Sequence, residues 1–206
     1  MTLTHKDAEL LRLISTGDER AFAAFYQEHQ ANLYRFGLLM SGSRQIAEEV
    51  VQEAFLALIR EPGRYDPARG SLSSYLYGTA RNQVLRCLKR ERVYVALAEE
   101  TNGDATERQL ISKNDLLMET ARREAIRIVR QAVVALPVHY REVVVLCDFQ
   151  EMTYAEAARV LNCPVGTVNS RLHRGHALMV QRLRANSKFT HASPDEDWTS
   201  LLRCFA

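Results

Sequence analysis

The run from Thr153 to Arg184, TYAEAARVLNCPVGTVNSRLHRGHALMVQRLR, constrains the fold most, because its signals at both ends and in the middle describe two helices joined by a tight turn. Thr153 and Glu156 stand three apart ahead of an apolar-periodic run, so the hydroxyl accepts from the third backbone N–H while the carboxylate reaches back, a capping box. Ala157, Ala158 and Leu161 then share one side, small enough to admit a second helix closely. Asn162 tolerates a left-handed C-cap, and Pro164, with preset φ and no N–H, suits the next first turn, followed by Gly166 and Thr167. Val168 and Leu172, four apart, turn inward. Asn169, Ser170, Arg171 and Arg174 are left on the outer arc, where amide, hydroxyl and guanidinium groups reach base edges and phosphates in a DNA groove. The competing reading is a helical hairpin whose basic face only meets water.

Charge is placed unevenly along the chain. The net charge of +2 conceals a local +5 over residues 126 to 188 and a local −3 over residues 96 to 125. Such asymmetry suggests a basic nucleic-acid-facing module tied on by an acidic connector. At 206 residues the chain has room for one large or two small domains with their own cores. Cys87, Cys147, Cys163 and Cys204 form no CxxC pair, so neither a disulfide framework nor a closed zinc site is indicated and a reduced, cytoplasmic setting fits best. No span of about 18 uninterrupted apolar residues occurs, which argues against membrane insertion.

The N-terminal half reads as four helices. Ala8 to Ile14 suggest a short first one, broken at Gly17; Asp18 caps a second carrying Phe22, Phe25, Tyr26, Leu33, Phe36, Leu39 and Met40. Gly42 and Ser43 stop it and start the third, in which Ile46, Val50, Phe55 and Leu58 form an apolar stripe and Glu48, Glu49, Gln52 and Glu53 line the other face. EPGRYDPARGS is a loop, since two prolines and two glycines in so short a run exclude regular structure. Ser71 caps a fourth helix stepping inward at Leu72, Leu76, Ala80, Val84 and Leu88. Its remaining surface is shared by Tyr75, Arg81, Asn82, Arg86, Lys89, Arg90 and Arg92. An aromatic, an amide and cations on one helix hold single-stranded nucleic acid by stacking and phosphate attraction, though a solvated basic face with Tyr75 half in the core accounts for them equally.

From about Leu97 to Leu116 the chain is polar and acidic with weak periodicity, a flexible linker. A second helical unit follows: a helix from Met118 to Leu136, a break at Pro137, a helix from His139 to about Phe149, then the two-helix motif. The expected division is therefore residues 1–95, a linker at 96–117, a second domain at 118–185 and an extension at 186–206, in which Trp198, Leu201, Leu202 and Phe205 suggest a short amphipathic turn. With no strand signal, the fold class is all-α: two small helical domains joined by a linker.

Two stretches taken together resemble the sigma factors of bacterial RNA polymerase, specifically the small two-domain extracytoplasmic-function (ECF) group. VVQEAFLALIR followed by RYDPARGSLSSYLYGTARN is similar to that family's region two, and LPVHYREVVVLCDFQEMTYAEAARVLNCPVGTVNSRLHRGHALMVQRL to its region four. The resemblance implies a subunit without catalytic activity or cofactor. It implies docking of the third helix on the clamp helices of core RNA polymerase's largest subunit through Glu49, Gln52 and Glu53, with the flap of the second-largest subunit as a further contact. The loop and fourth helix would hold an unstacked base of the −10 promoter element, near Tyr65, Tyr75, Asn82, Arg86, Lys89 and Arg90. The linker would thread toward the polymerase active-site channel. The two-helix motif would read the −35 element of promoter DNA through Thr167, Asn169, Ser170, Arg171 and Arg174. An anti-sigma factor is implied as a partner, because such partners are common in the group. Tyr75 stands where the family usually has Trp, Arg86 where Asp is common and Asn169 where Lys is common; these bear on promoter preference.

Three other classes remain to be weighed. An ordinary helix-turn-helix regulator would bind duplex DNA without polymerase, but has no need of a basic, aromatic fourth helix. An enzyme finds no support, since no P-loop, nucleophile elbow, HExxH or paired-carboxylate pattern occurs. A metal or redox sensor would rest on His173, His176, Cys163 and Cys204, yet two histidines three apart on such a helix more often approach phosphates or pack at the core's end.

Overall fold

A computed structural model describes residues 3–99 and 117–185, all of whose regular structure is helical. The order is α1 (Leu3–Ser15), α2 (Glu19–Ser41), α3 (Arg44–Arg60), a 3-10 turn (Pro62–Arg64), α4 (Leu72–Glu99), α5 (Leu117–Val134), α6 (Val138–Val144) running into a π-helical turn (Val145–Phe149), α7 (Tyr154–Leu161) and α8 (Val165–Ala185). Most of the linker and the whole C-terminal extension, with Trp198, Leu201, Leu202, Cys204 and Phe205, lie outside the described residues.

Local chemistry sets the ends of these helices. Asp18 accepts from the backbone N–H groups of Arg20 and Ala21, at 2.9 and 3.0 Å, and opens α2. Gly42 closes it at φ 74°, a left-handed conformation that glycine adopts without penalty, and its N–H returns to Leu38 O. Ser43 caps α3 through Ile46 N–H, and Ser71 Oγ accepts from Ser74 N–H at 3.1 Å to open α4. The first free N–H of α4, at Leu72, finds a distant partner: it donates to Asp7 of α1 at 2.8 Å. At α7 the capping box is complete, Thr153 N–H donating to Glu156 Oε2 at 2.9 Å and Glu156 N–H to Thr153 Oγ1 at 3.3 Å, and Asn162 ends the helix at φ 50°.

The first four helices bury Leu33, Phe36, Met40, Val50, Leu58, Leu72, Leu76 and Val84 almost completely. Gly37 lets α2 approach α3: a Cβ there would stand 2.9 Å from Ala47 Cα. In the second unit Gly175 does the same for α8 against α6, with Val144 Cγ2 at 2.8 Å from any added Cβ. The helix expected from His139 to Phe149 is instead seven α-helical residues followed by a wider turn. Val143, Val144, Val145 and Leu146 are all fully buried. Consecutive apolar residues can be buried in this way only where an element is covered on every side, and here α8 lies on one flank and α2 on another.

The two units pack directly on each other. α2 meets α5, α6 and the π-helical turn, and α4 meets α7. Val134 Cγ1 of α5 would lie 3.2 Å from a Cβ at Gly42. Arg141, buried in α6, donates to Met40 O at the end of α2 and to Val134 O and Leu136 O at the end of α5. Across the same seam the Tyr77 hydroxyl of α4 donates to Gln150 Oε1 at 2.7 Å, and Arg81 Nε of α4 stands 2.7 Å from Glu142 Oε1 of α6.

The capping box generates a pH-dependent expectation. Hydrogen bonds from the Thr153 side chain and backbone hold the Glu156 carboxyl below its ordinary value. A carboxyl whose folded-state pKa is depressed contributes stability that is complete above the unfolded value and lost as pH falls through the folded one. Thr153→Ala should lower unfolding stability by about 1 kcal/mol at neutral pH, and that deficit should shrink as pH falls below the usual carboxylate range. Urea unfolding of both proteins across that range measures it; a deficit independent of pH would mean that Glu156 takes no part.

Candidate nucleic-acid interface

The α4 helix presents different residues on its different sides. Leu72, Leu76, Ala80, Val84 and Cys87 enter the core, Tyr77 and Arg81 enter the seam, and Asn82, Arg86 and Lys89 are exposed. The intervals 82, 86 and 89 place an amide and two cations on one outward stripe. Tyr75, half-buried, lies at the start of that side and meets Tyr65 of the preceding loop edge-on, with ring centroids 5.9 Å apart. Tyr65 is itself 8% exposed, and its hydroxyl donates to Gly70 O at 3.1 Å. Burial, with the Asp7 charge nearby, pushes the Tyr65 hydroxyl above its ordinary pKa, so it stays a neutral donor. Tyr65 thus braces the loop, and Tyr75 is the more accessible of the two rings.

The α3 residues do not form one uniform acidic face. Glu49 is engaged by α4: its carboxylate accepts from Gln83 Nε2 at 2.9 Å and pairs with Arg90 at 3.1 Å. Cys87 lies beneath, its thiol pushed up first by burial and then by Glu49. Gln52 is exposed, and Glu53, half-buried, has no ion pair among the described residues. Beside them the apolar stripes of α2 and α3 are not completely filled. Phe22 and Tyr26 of α2 and Phe55 and Ile59 of α3 line an open groove of about 680 Å³ with Glu48 and Gln52 on its edge. Ile59 is 43% exposed. The signal was present as the i, i+4 pair of aromatics at 22 and 26, but periodicity does not distinguish a filled stripe from a grooved one.

In α8, Val168 and Leu172 are buried as expected, while Asn169, Ser170 and Arg174 are exposed and Thr167 and Arg171 half-exposed. Ser170 Oγ donates to Thr167 O at 3.1 Å, which holds its hydroxyl against its own helix. Exposed amide and guanidinium groups on the first three turns of the second helix suit contact with base edges and phosphates. His176 does not share a ligand site with His173: it hydrogen-bonds Asp148 at 2.8 Å, fastening α8 to the π-helical turn, whereas His173 faces out. Cys147, in that turn, is pushed up to about 12 by burial and by Asp148. Among the described residues no three potential ligands lie together, and no helix is long and apolar enough to cross a membrane.

One family model falls on each helical unit. Residues 25–93 match sigma-70 region 2, and residues 126–179 match sigma-70, region 4. The chain is 30% identical to the ECF RNA polymerase sigma factor SigW of Bacillus subtilis, covering 84% of this chain and 95% of the relative. It is 32% identical to the ECF RNA polymerase sigma factor SigM of Mycobacterium tuberculosis, covering 86% and 84%. Among solved structures, CnrH in complex with the cytosolic domain of CnrY superposes with a TM-score of 0.64 over 88% of this chain and 99% of that one, at 24% identity. The sigma factor RpoE of Bartonella quintana, in complex with the anti-sigma factor NepR, gives 0.60 over 79% and 98%, at 19% identity. With one region model on each helical unit and relatives of 30% and 32% identity matched over more than four fifths of both chains, the chain belongs to the ECF sigma factors, the promoter-recognising subunits of RNA polymerase.

Proposed function

We propose that this chain joins core RNA polymerase, reads a −35 element with the outer arc of α8 and captures the melted −10 strand with the outward stripe of α4. The observation that carries the reading is that stripe: an exposed amide and two exposed cations, Asn82, Arg86 and Lys89, lie along the side of α4 that begins at the half-buried ring of Tyr75. A base pulled from the duplex needs a stacking plane and a polar edge to offset its lost pairing, and its phosphates need cations. A plain duplex-binding regulator uses only α8.

Polymerase docking is assigned to the groove between α2 and α3, with Gln52 and Glu53 beside it. An aromatic groove with acid and amide groups around it suits an amphipathic helix carrying basic residues. A separate anti-sigma protein covering these surfaces completes the proposal; among the similar structures, RpoE is in complex with the anti-sigma factor NepR. The reading is tested by run-off transcription with core polymerase, in which transcript should depend on adding this protein.

Four variants probe the parts. Asn82→Ala should leave polymerase binding intact but slow strand opening, which permanganate reactivity of thymines around the start site measures; wild-type reactivity would remove Asn82 from the strand-binding face. Arg171→Ala should weaken protection of the upstream element by about 1–3 kcal/mol, the scale of a lost base contact. Footprint titration reads that loss, and an unchanged footprint would place the contact elsewhere on α8. On α3, Glu53→Lys should weaken association with core polymerase while leaving helicity intact. Glu49→Lys should lower thermal stability as well, because it sets a cation against Arg90. Equal melting temperatures for the two would show that the Glu49 contacts to α4 contribute nothing to the fold.

A further inference from the structure

The geometry points to Arg81 as a further contact for the melted promoter strand, one that Glu142 occupies while the two helical units are packed together. The inference rests on the proposed role of α4. Arg81 is the chain neighbour of Asn82, one helical step around from the outward stripe, and its guanidinium is turned into the seam. There it lies 2.7 Å from a carboxylate that is 3% exposed, while its own side chain is 23% exposed. Separating α4 from α6 would leave the Arg81 charge unpaired beside Asn82, Arg86 and Lys89, where a phosphate is the natural replacement anion. Closure of the two units and capture of the strand therefore compete for one guanidinium.

The α4 side of the seam has the chemistry of a contact that opens, unlike the Arg141 junction of α2, α5 and α6, whose guanidinium donates to three carbonyl groups. Arg81 Nε and Glu142 Oε1 are buried at close range, yet neither makes a hydrogen bond among the described residues, so the approach lies off the N–H axis. Gln150 Nε2, whose amide oxygen receives the Tyr77 hydroxyl on the same seam, is also buried without a hydrogen-bond partner among the described residues. Desolvated charges in imperfect geometry repay little of their lost hydration, and a buried amide donor without a partner opposes closure outright. Opening to water or to DNA satisfies all three groups. Tyr77 and Arg81, four apart on α4, hold the seam from one side of that helix, so one rotation or withdrawal of α4 releases both.

The test uses the full chain, a fluorescently labelled 20-nucleotide single strand of mixed sequence as probe, and small-angle scattering to report whether the units are apart. Glu142→Gln keeps the shape of the side chain and removes the charge; it should enlarge the scattering radius and raise affinity for the strand at least about fivefold, the low end of ordinary coupling between sites. Tyr77→Phe, which deletes only the seam hydroxyl, should act in the same direction and guards against a folding defect peculiar to Glu142. Arg81→Ala should also open the molecule, yet bind the strand more weakly than Glu142→Gln and with a salt slope smaller by about 0.7, as for one lost phosphate contact on a single strand. The exchanged pair, Arg81→Glu with Glu142→Arg, should close again and bind poorly. If Glu142→Gln and Tyr77→Phe leave radius and affinity unchanged while Lys89→Ala weakens strand binding, the competition is wrong and the α4 reading survives. Should the seam variants enlarge the radius while neither Lys89→Ala nor Arg81→Ala alters strand binding, the α4 reading itself fails, and Arg81 with it.

Discussion

The packing of the whole molecule turns on one buried guanidinium. A helix ends with carbonyl groups that have no partner within it, and α2, whose Met40 and Ser41 are fully buried, ends where α5 ends. Arg141 donates to Met40 O from the first and to Val134 O and Leu136 O from the second. Arginine suits the place because its charge is permanent and its donors are set in a planar fork, while two converging helix C-termini present partial negative charge. Gly42 permits the closeness, since Val134 occupies the space a side chain there would need. From that junction the remaining geometry follows: α6 is trapped between α2 and α8, α4 comes against α7, and the outward stripes of α4 and α8 take fixed positions on one body.

What could be read from the sequence was what the chain decides over a few residues. The Asp18, Ser43 and Ser71 caps, the left-handed Gly42 and Asn162 and the Thr153–Glu156 box all depend on neighbours within four positions, and each is found where the pattern put it. The exposed or half-exposed state of Asn82, Arg86, Lys89, Asn169, Ser170 and Arg174 followed from helical period alone. Long-range pairing was not legible. Nothing near Leu72 announces that its N–H will meet Asp7, and nothing near Glu49 shows that it faces Gln83, Cys87 and Arg90 across two helices. Amphipathicity reports that Glu49 is off the apolar stripe, but an acid off the stripe can face solvent or a basic neighbouring helix with the same pattern. The π-helical turn was missed for a related reason. The run Val143 to Leu146 reads as helix in any window, and only its burial on all sides makes a wider turn a good solution.

A single helix, α4, carries three kinds of contact because 3.6 residues per turn let neighbouring positions face different partners. Its core side fixes its place against α2 and α3, its Arg90 and Gln83 side clasps Glu49, and its Tyr77 and Arg81 side meets the second unit. These contacts differ in how well they are satisfied. The Glu49 carboxylate collects several donors, while at the seam Arg81 Nε, Glu142 Oε1 and Gln150 Nε2 make no hydrogen bond among the described residues. When a force is applied to such a helix, the less satisfied side gives first, since breaking it restores hydration that the packed state withheld.

This asymmetry bears on the order of events on the proposed reading. Asn169, Ser170 and Arg174 are already exposed with the units packed, so the outer arc of α8 needs no rearrangement to meet duplex DNA. The outward stripe of α4 is also open, but its chain neighbour Arg81 is not. Duplex recognition and strand capture therefore make different demands on one molecule: the first is compatible with the closed body, and the second gains a cation only when that body opens. A ligand shifts a conformational equilibrium only as far as it prefers one state over the other. Duplex bound to α8 alone has no reason to prefer either state, whereas a melted strand that takes Arg81 from Glu142 prefers the open one by the whole of that contact. The opening of the protein and the opening of the DNA are then coupled through one residue, and each stabilises the other.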